Sequence, residues 1–258
     1  MIDKNVKKVF EKEGYAIIQN AINQSDLNQL SDACNSYNYG DLLSYPVFDK
    51  FVLNEKLLST LEQILGCVPI YFGDSGALIG PRLRGLHRDL KKKETLVSED
   101  KLIRAGLYIR PSGLRSGGLK VVPRSHRSSC NILRNFFLSK NLYPNDGDII
   151  IWDARLLHSG SALFFASLNY SFHPIIENLI KPIKHSKIQD RTVLLSTYSR
   201  PGNLYEIYKR ERSSSHMEEH WKKSFKWTNK TKRALKVSKI LIDTILKKKN
   251  AGNKKKKQ

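Results

Sequence analysis

From about Pro69 onward the chain changes texture, and that change narrows its fold more than any other feature. Short runs rich in β-branched, aromatic and aliphatic residues follow one another, each closed by Gly, Pro, Asn or Asp. They are Ile70–Phe72, Ala77–Ile79, Ala105–Ile109, Leu119–Val122, Asp148–Trp152, Ser167–Phe172 and Thr192–Thr197. Several short strands with turn residues between them read as a β-sandwich or barrel. The runs do not alternate with helices, which argues against a parallel α/β sheet. A chain of 258 residues, 40% apolar, can bury one large core with or without an appendage.

Helical patterns flank this region. Residues 3–12 read as a short helix leading into the β-type run Gly14-Tyr15-Ala16-Ile17-Ile18. Leu27, Leu30, Ala33 and Cys34 then recur at helical spacing behind Ser25 or Asp26 as N-cap. A further helix is expected over Asn54 to Leu65, closed by Gly66. After Leu204 the helical pattern returns, and Lys230 to Lys249 carries Ala234, Val237, Leu241 and Ile245 on one stripe. The division expected is a main domain over 1–205 and a basic helical extension over 206–258, with a disordered Lys-rich end at Asn250 to Gln258.

The net charge of +21 is concentrated in that extension. From Lys209 to Gln258 there are 18 Lys and Arg against 4 Asp and Glu, leaving +14 of the total there. Such a block attracts nucleic acid, lipid headgroups or acidic proteins, or is simply a solvated face. Cys34, Cys67 and Cys130 are odd in number and far apart, so they form neither a disulfide framework nor a zinc knuckle. With no signal-peptide pattern and no apolar run of membrane-spanning length, the expected location is cytoplasmic.

One constellation carries chemistry. His87 and Asp89 are two apart, so on an extended segment both side chains point the same way. His158 ends the stretch that begins at Gly147-Asp148 and passes through Ile149-Ile150-Ile151-Trp152. Two imidazoles and one carboxylate form the facial triad of non-haem Fe(II) oxygenases, which leaves coordination positions open for reactants. Taken as spacing alone, the trio is also compatible with a chance His-x-Asp and a hydrogen-bonded strand-end histidine. His87-Arg88-Asp89-Leu90 copies the opening of a kinase catalytic loop. Glu94 stands where that loop needs Asn, and no Asp-Phe-Gly follows, which excludes a kinase.

Four segments together resemble the phytanoyl-CoA dioxygenase family of Fe(II)- and 2-oxoglutarate-dependent oxygenases. They are Glu13-Gly14-Tyr15-Ala16-Ile17-Ile18, His87-Arg88-Asp89, Gly117-Gly118-Leu119-Lys120-Val121-Val122-Pro123-Arg124-Ser125-His126, and Gly147-Asp148 through His158; the likeness runs from about Phe10 to Tyr198. The resemblance implies a mainly β fold with flanking helices, built on a double-stranded β-helix (a cupin-like jelly roll). It implies Fe(II) held by His87, Asp89 and His158, with 2-oxoglutarate as co-substrate and dioxygen as oxidant. Arg191, opening Thr192-Val193-Leu194-Leu195, matches the arginine that pairs with the far carboxylate of 2-oxoglutarate, a task suited to a planar guanidinium. Tyr108 either donates its hydroxyl to the same molecule or packs in the barrel. The implied reaction is hydroxylation of a small molecule with release of succinate and carbon dioxide. Asp89 favours hydroxylation, because related halogenases lack this carboxylate.

The chain departs from the pattern in two places. Arg124 replaces the usual Gly of Pro-Gly-Ser-His, and an apparent insert through Glu177–Asp190 lengthens the gap to Arg191, making Arg200 a rival. His126 reads as loop-shaping, and His173 as strand or insert. Arg82, Arg84, Arg88 and Lys91–Lys93 hint at an anionic substrate. The competing reading is a catalytically silent jelly roll acting as a basic adaptor on nucleic acid or membrane, through the Lys230–Lys249 helix and Lys254–Lys257. The same helix can instead dock on the barrel or on a second subunit.

Overall fold

The computed structural model describes residues 4–38, 40–79, 86–90, 98–109, 118–128, 138–160, 192–212 and 229–237. Ser167–Phe172, Arg191, Arg82, Arg84, Lys91–Lys93, Cys130, His173, the insert and the chain after Val237 lie outside the described residues.

The N-terminal third is helical. Helix α1 (Lys4–Glu13) leads directly into strand β1 (Tyr15–Ile18). Helix α2 (Gln24–Ser36) is capped by Asn23, whose side chain accepts the Asp26 N–H, so the cap lies upstream of Ser25 and Asp26. The reason is a division of labour: Asp26 turns its carboxylate to Lys50 and to the Asn23 amide. After the short α3 (Asp49–Val52), α4 (Glu55–Leu65) begins at Asn54, which accepts the Leu57 N–H, and ends on left-handed Gly66. Leu57, Leu58, Leu61, Ile64 and Leu65 of α4 are buried. Each contributes about 1.5–3 kcal/mol by leaving water.

Two sheets follow. The larger holds β1, β2 (Ile70–Tyr71), β3 (Gly76–Ile79), β4 (Leu102–Tyr108), β7 (Ile149–Asp153), β9 (Thr192–Ser199) and β10 (Lys236–Val237), in the order β1-β7-β4-β9-β2-β10, with β3 also on β9. Every pairing in it is antiparallel except β2 with β10. The smaller sheet runs β6 (Lys140–Leu142), β5 (Leu119–Val121), β8 (His158–Ser159), all antiparallel. Period-two alternation splits β4 between two cores. Ile103, Ala105 and Leu107 join the cluster under α1–α4, whereas Tyr108 joins Leu119, Val121, Ile150, Trp152, Leu156 and Val193 between the sheets. The result is a mixed, mainly antiparallel two-sheet arrangement of jelly-roll type, with helices on one face.

The C-terminal segment differs from expectation. Helix α5 (Asn203–Arg212) runs across residue 205, and its Leu204, Ile207 and Tyr208 form one core cluster with Phe72, Leu90, Leu102 and Ala154. Of the expected Lys230–Lys249 helix, the described part holds the short α6 (Asn229–Ala234), after which Leu235 is buried and Val237 enters β10 beside Tyr71; residues 238–249 lie outside the described residues. Ala234 and Val237 therefore do not share a helical stripe. Pairing with β2, an interaction remote in sequence, overrides the local helical period. Among the described residues no helix is long and apolar enough to cross a membrane.

Two local devices place the catalytic-type segments. Gly147 has φ +83°, and a Cβ there would meet the Ile22 carbonyl oxygen at 2.5 Å. The next residue, buried Asp148, accepts the Asn20 and Asn145 N–H groups, which ties the entry of β7 to the end of β1. Near β3, buried Asp41 accepts from the Leu43 N–H and from the Tyr71 and Ser75 hydroxyls, fixing the turn that carries Asp74.

Two outcomes follow from these devices. Replacing Gly147 by Ala forces a strained φ and a backbone clash, and should cost about 2 kcal/mol or more in urea unfolding. Burial pushes the Asp41 carboxyl up to about 7, against 3.8 ordinarily, despite the opposing hydrogen bonds from Ser75, Tyr71 and Leu43. Between about pH 4 and pH 7 the folded protein keeps a proton that the unfolded chain has lost, so stability present at low pH is lost as pH rises through 7. Asp41→Asn removes this component. Its stability relative to the parent, from urea curves across that window, should rise by roughly 3–4 kcal/mol toward neutral pH.

Candidate metal centre

The site is assembled by a backbone pairing between two distant segments. His87 N–H donates to the His158 carbonyl and His158 N–H donates to the His87 carbonyl, both at 2.9 Å. His87 thus extends the small sheet by one bridge beyond β8. The chain then bends, and the Asp89 and Leu90 N–H groups both donate to the Ala154 carbonyl, at 2.9 and 3.1 Å. That carbonyl is presented by a turn held by a buried ion pair. Asp153 accepts from the Arg155 backbone N–H and from its guanidinium, while Arg155 also donates to the Ser98 carbonyl.

These contacts bring the three expected ligands together. One ligand atom from each of His87, Asp89 and His158 lies within 4.8 Å of the others. His87 Nε2 is 4.0 Å from Asp89 Oδ1, and His158 Nε2 is 3.6 Å from Asp89 Oδ2. His158 Nδ1 lies 3.0 Å from the Leu156 carbonyl oxygen, which can only accept. Nδ1 therefore carries a proton, and Nε2, directed at Asp89, is the atom left for a metal. The His158 ring sits between the His87 ring, at 4.4 Å, and the Trp152 ring, at 5.4 Å. Side-chain exposures of 12%, 10% and 6% for His87, Asp89 and His158 leave a partly shielded opening rather than a surface cluster.

Arg88, between the two ligands, points the opposite way. Its guanidinium donates to the Ser125 and Ser128 carbonyls at 2.8 and 2.7 Å. The anionic-substrate hint from Arg88 is therefore corrected: this arginine clamps the loop of the Val122-Pro123-Arg124-Ser125-His126 motif. Within that loop the Ser125 hydroxyl accepts the Leu157 N–H, one residue before His158. Arg124 adopts φ +65°, the left-handed conformation for which glycine is the usual residue. Its N–H donates to the Glu13 carbonyl and its guanidinium pairs with the Glu13 carboxylate, holding that carboxyl below its ordinary range. His126 is buried, its ring packed so closely over Gly14 (φ +83°) that a Cβ there would meet Nδ1 at 2.4 Å. Burial lowers the affinity of His126 for a proton, which fits a loop-shaping residue.

The remaining candidates separate. Tyr108 is 2% exposed and lies between the sheets, opposite Val193 of β9. Arg200 is half exposed and pairs with Asp100 at 3.5 Å, beside a cavity of about 560 Å³ lined by Lys101, His126, Asp153 and Arg155. That pairing places Arg200 at the surface, while Arg191 lies outside the described residues.

Sequence reasoning missed Arg104. This β4 residue faces the interior, its side chain 10% exposed, with Nε 3.7 Å from Asp89 Oδ2. Its NH1 lies 2.6 Å from both Asp74 Oδ2 and Thr197 Oγ1. Burial alone would weaken its hold on the proton, but Asp74 and Asp89 more than offset this and the guanidinium stays charged. The available signal was one arginine inside the apolar run Leu102-Ile103-Arg104-Ala105-Gly106-Leu107-Tyr108. A cavity of about 470 Å³, lined by Tyr37, Asp74, Gly76, Leu78 and Leu195, opens on the same guanidinium.

No protein-family model matches the chain, and no curated protein matches it in sequence. Solved structures do match in fold. The non-heme alpha ketoglutarate dependent epimerase SnoN from nogalamycin biosynthesis aligns with a TM-score of 0.56 at 11% identity, over 77% of this chain and 85% of that one. HygX from Streptomyces hygroscopicus, solved with nickel, 2-oxoglutarate and hygromycin B, aligns with a TM-score of 0.57 at 12% identity, over 76% and 86%. AviO1 from Streptomyces viridochromogenes Tue57 aligns with a TM-score of 0.56 at 13% identity, over 78% and 97%. The chain thus shares its fold with solved proteins, one of them alpha ketoglutarate dependent and another solved with nickel and 2-oxoglutarate.

Proposed function

We propose that this protein is an Fe(II)- and 2-oxoglutarate-dependent dioxygenase that hydroxylates a small molecule, of the phytanoyl-CoA dioxygenase type. The observation that carries the reading is the convergence of one ligand atom each from His87, Asp89 and His158 within 4.8 Å, on a fold shared with proteins solved with iron or nickel and 2-oxoglutarate. The donor set fits the metal: two neutral imidazoles and one carboxylate suit Fe(II) and leave positions open.

In this reading His87, Asp89 and His158 hold the iron. When bound, iron with 2-oxoglutarate supplies the oxidising power to insert oxygen from dioxygen into substrate, giving succinate and carbon dioxide. The chain's own residues orient and shield. The Leu156 carbonyl fixes the His158 tautomer, and Trp152 covers one side of its ring. Arg191, immediately before β9, captures the far carboxylate of the co-substrate, with Tyr108 as a second donor candidate. Lys and Arg outside the described residues leave an anionic substrate as one class to include in the assay panel.

The alternative is a silent jelly roll working as a basic adaptor. Thr231 and Leu235 are buried, so residues 229–237 belong to the body and the adaptor would reside in 238–258. The two readings part on one experiment. With Fe(II), ascorbate and a broad substrate panel, the full chain should form succinate from 2-oxoglutarate, and the oxidised substrate should gain one oxygen atom. His158→Ala should abolish turnover, and Arg191→Ala should raise the KM for 2-oxoglutarate by about 100-fold or more, as expected for loss of a charge-assisted pair. A chain ending at Val237 should keep full turnover. Absence of both succinate and Fe(II) binding in the intact protein would overturn the enzyme reading. Turnover without oxygen gain, as an epimerase gives, would overturn hydroxylation alone.

A further inference from the structure

Arg104 and helix α5 meet directly behind the metal ligand Asp89. Arg104 makes a charge contact with Asp89 Oδ2 at 3.7 Å through Nε, while NH1 bonds Asp74 and Thr197 at 2.6 Å each. The Tyr208 hydroxyl of α5 donates to Asp74 and lies 3.4 Å from the same NH1. Thr197 Oγ1 donates to the Asp74 carbonyl at 3.1 Å, closing the cluster against β9. Around this polar group α5 is packed dry. Tyr208 is fully buried, its ring edge-on to Phe72 at 5.0 Å, and Leu204 and Ile207 share a cluster with Leu90, the residue after Asp89.

Stability does not account for this arrangement. Burying a guanidinium with two carboxylates incurs a desolvation cost that their mutual attraction offsets only in part, and apolar residues of similar volume do as well or better. A purely structural need would be met by an aliphatic side chain on β4, as its neighbours are. What an aliphatic side chain cannot supply is a fixed positive partner for the Asp89 carboxylate. The outer partners of metal-binding carboxylates set their orientation, and losing one typically costs about 10- to 100-fold in metal affinity.

We propose that Arg104 is a positioning residue of the metal centre: Asp74, Thr197 and Tyr208 hold its guanidinium, which orients Asp89 for metal binding, so that α5 is part of the centre although it lies outside both sheets. The proposal rests on the iron-site reading above and adds to it the residues that act through Asp89.

The test is a Co(II) titration of the full-length protein, followed by calorimetry and by the visible spectrum, which reports ligand geometry. The parent should bind one Co(II), and His158→Ala none. Arg104→Gln alone strands the buried Asp74, so the informative variant pairs Arg104→Gln with Asp74→Asn, leaving the cluster neutral and hydrogen-bonded. This pair should match the parent in urea unfolding without metal, yet bind Co(II) about 10- to 100-fold more weakly and with an altered spectrum. Arg104→Lys should recover part of the affinity, because the charge remains and the fork is lost. Tyr208→Phe, which leaves Arg104 in place, should shift affinity in the same direction by a smaller factor. Parent-like affinity and spectrum in both the paired variant and Tyr208→Phe, with His158→Ala empty, overturns the positioning role and leaves the iron site standing. No Co(II) bound by the parent overturns the iron site itself.

Discussion

The reciprocal hydrogen bonds between the His87 and His158 backbones are the constraint from which the rest of the site follows. The two residues are about seventy positions apart in the chain, yet they form one narrow antiparallel bridge. A bridge of this kind dictates where both side chains emerge, and it sets them side by side with ring centroids 4.4 Å apart. Everything nearby serves that bridge. The Ala154 carbonyl catches Asp89 and Leu90, the Ser125 hydroxyl catches Leu157, and Arg88 fastens the loop that holds Ser125. The site is therefore specified mainly by backbone groups, with side chains used to keep the backbone in place.

The parts legible in the sequence were those governed by local rules. Helix α4 could be read end to end because Asn54 and Gly66 cap it through their immediate neighbours. The pairing of His87 with Asp89 was legible because extended backbone returns side chains to one face every second residue. The same rule assigns Arg88 to the opposite face, and reading its charge as a contact for substrate overlooked that parity. Gly147-Asp148 was recognisable as a strand entry, although only the structure shows that the glycine makes room for the Ile22 carbonyl.

What escaped the sequence was long-range. Arg104 is held by Asp74, Thr197 and Tyr208, three residues that no spacing rule connects. The stripe through Ala234 and Val237 had the right period for a helix, but two residues of pairing with Ile70 and Tyr71 redirect the chain after Leu235. Strands β6 and β8, three and two residues long, are too short to carry a pattern. Arg124 shows the converse. The residue type breaks the motif while the left-handed turn is retained, stabilised from outside by Glu13.

The small parallel pairing of β10 with β2 has a wider consequence. It occupies the outer edge of the large sheet, where unpaired N–H and C=O groups would otherwise invite another chain to add a strand. The Lys236 N–H already bonds the Pro69 carbonyl, and the Lys236 side chain is exposed on this outer strand. Positive charge next to a covered edge is a common safeguard against strand-on-strand aggregation. Lys236 thus places charge on that outer strand, a role for one of the chain's basic residues that is independent of any anionic partner.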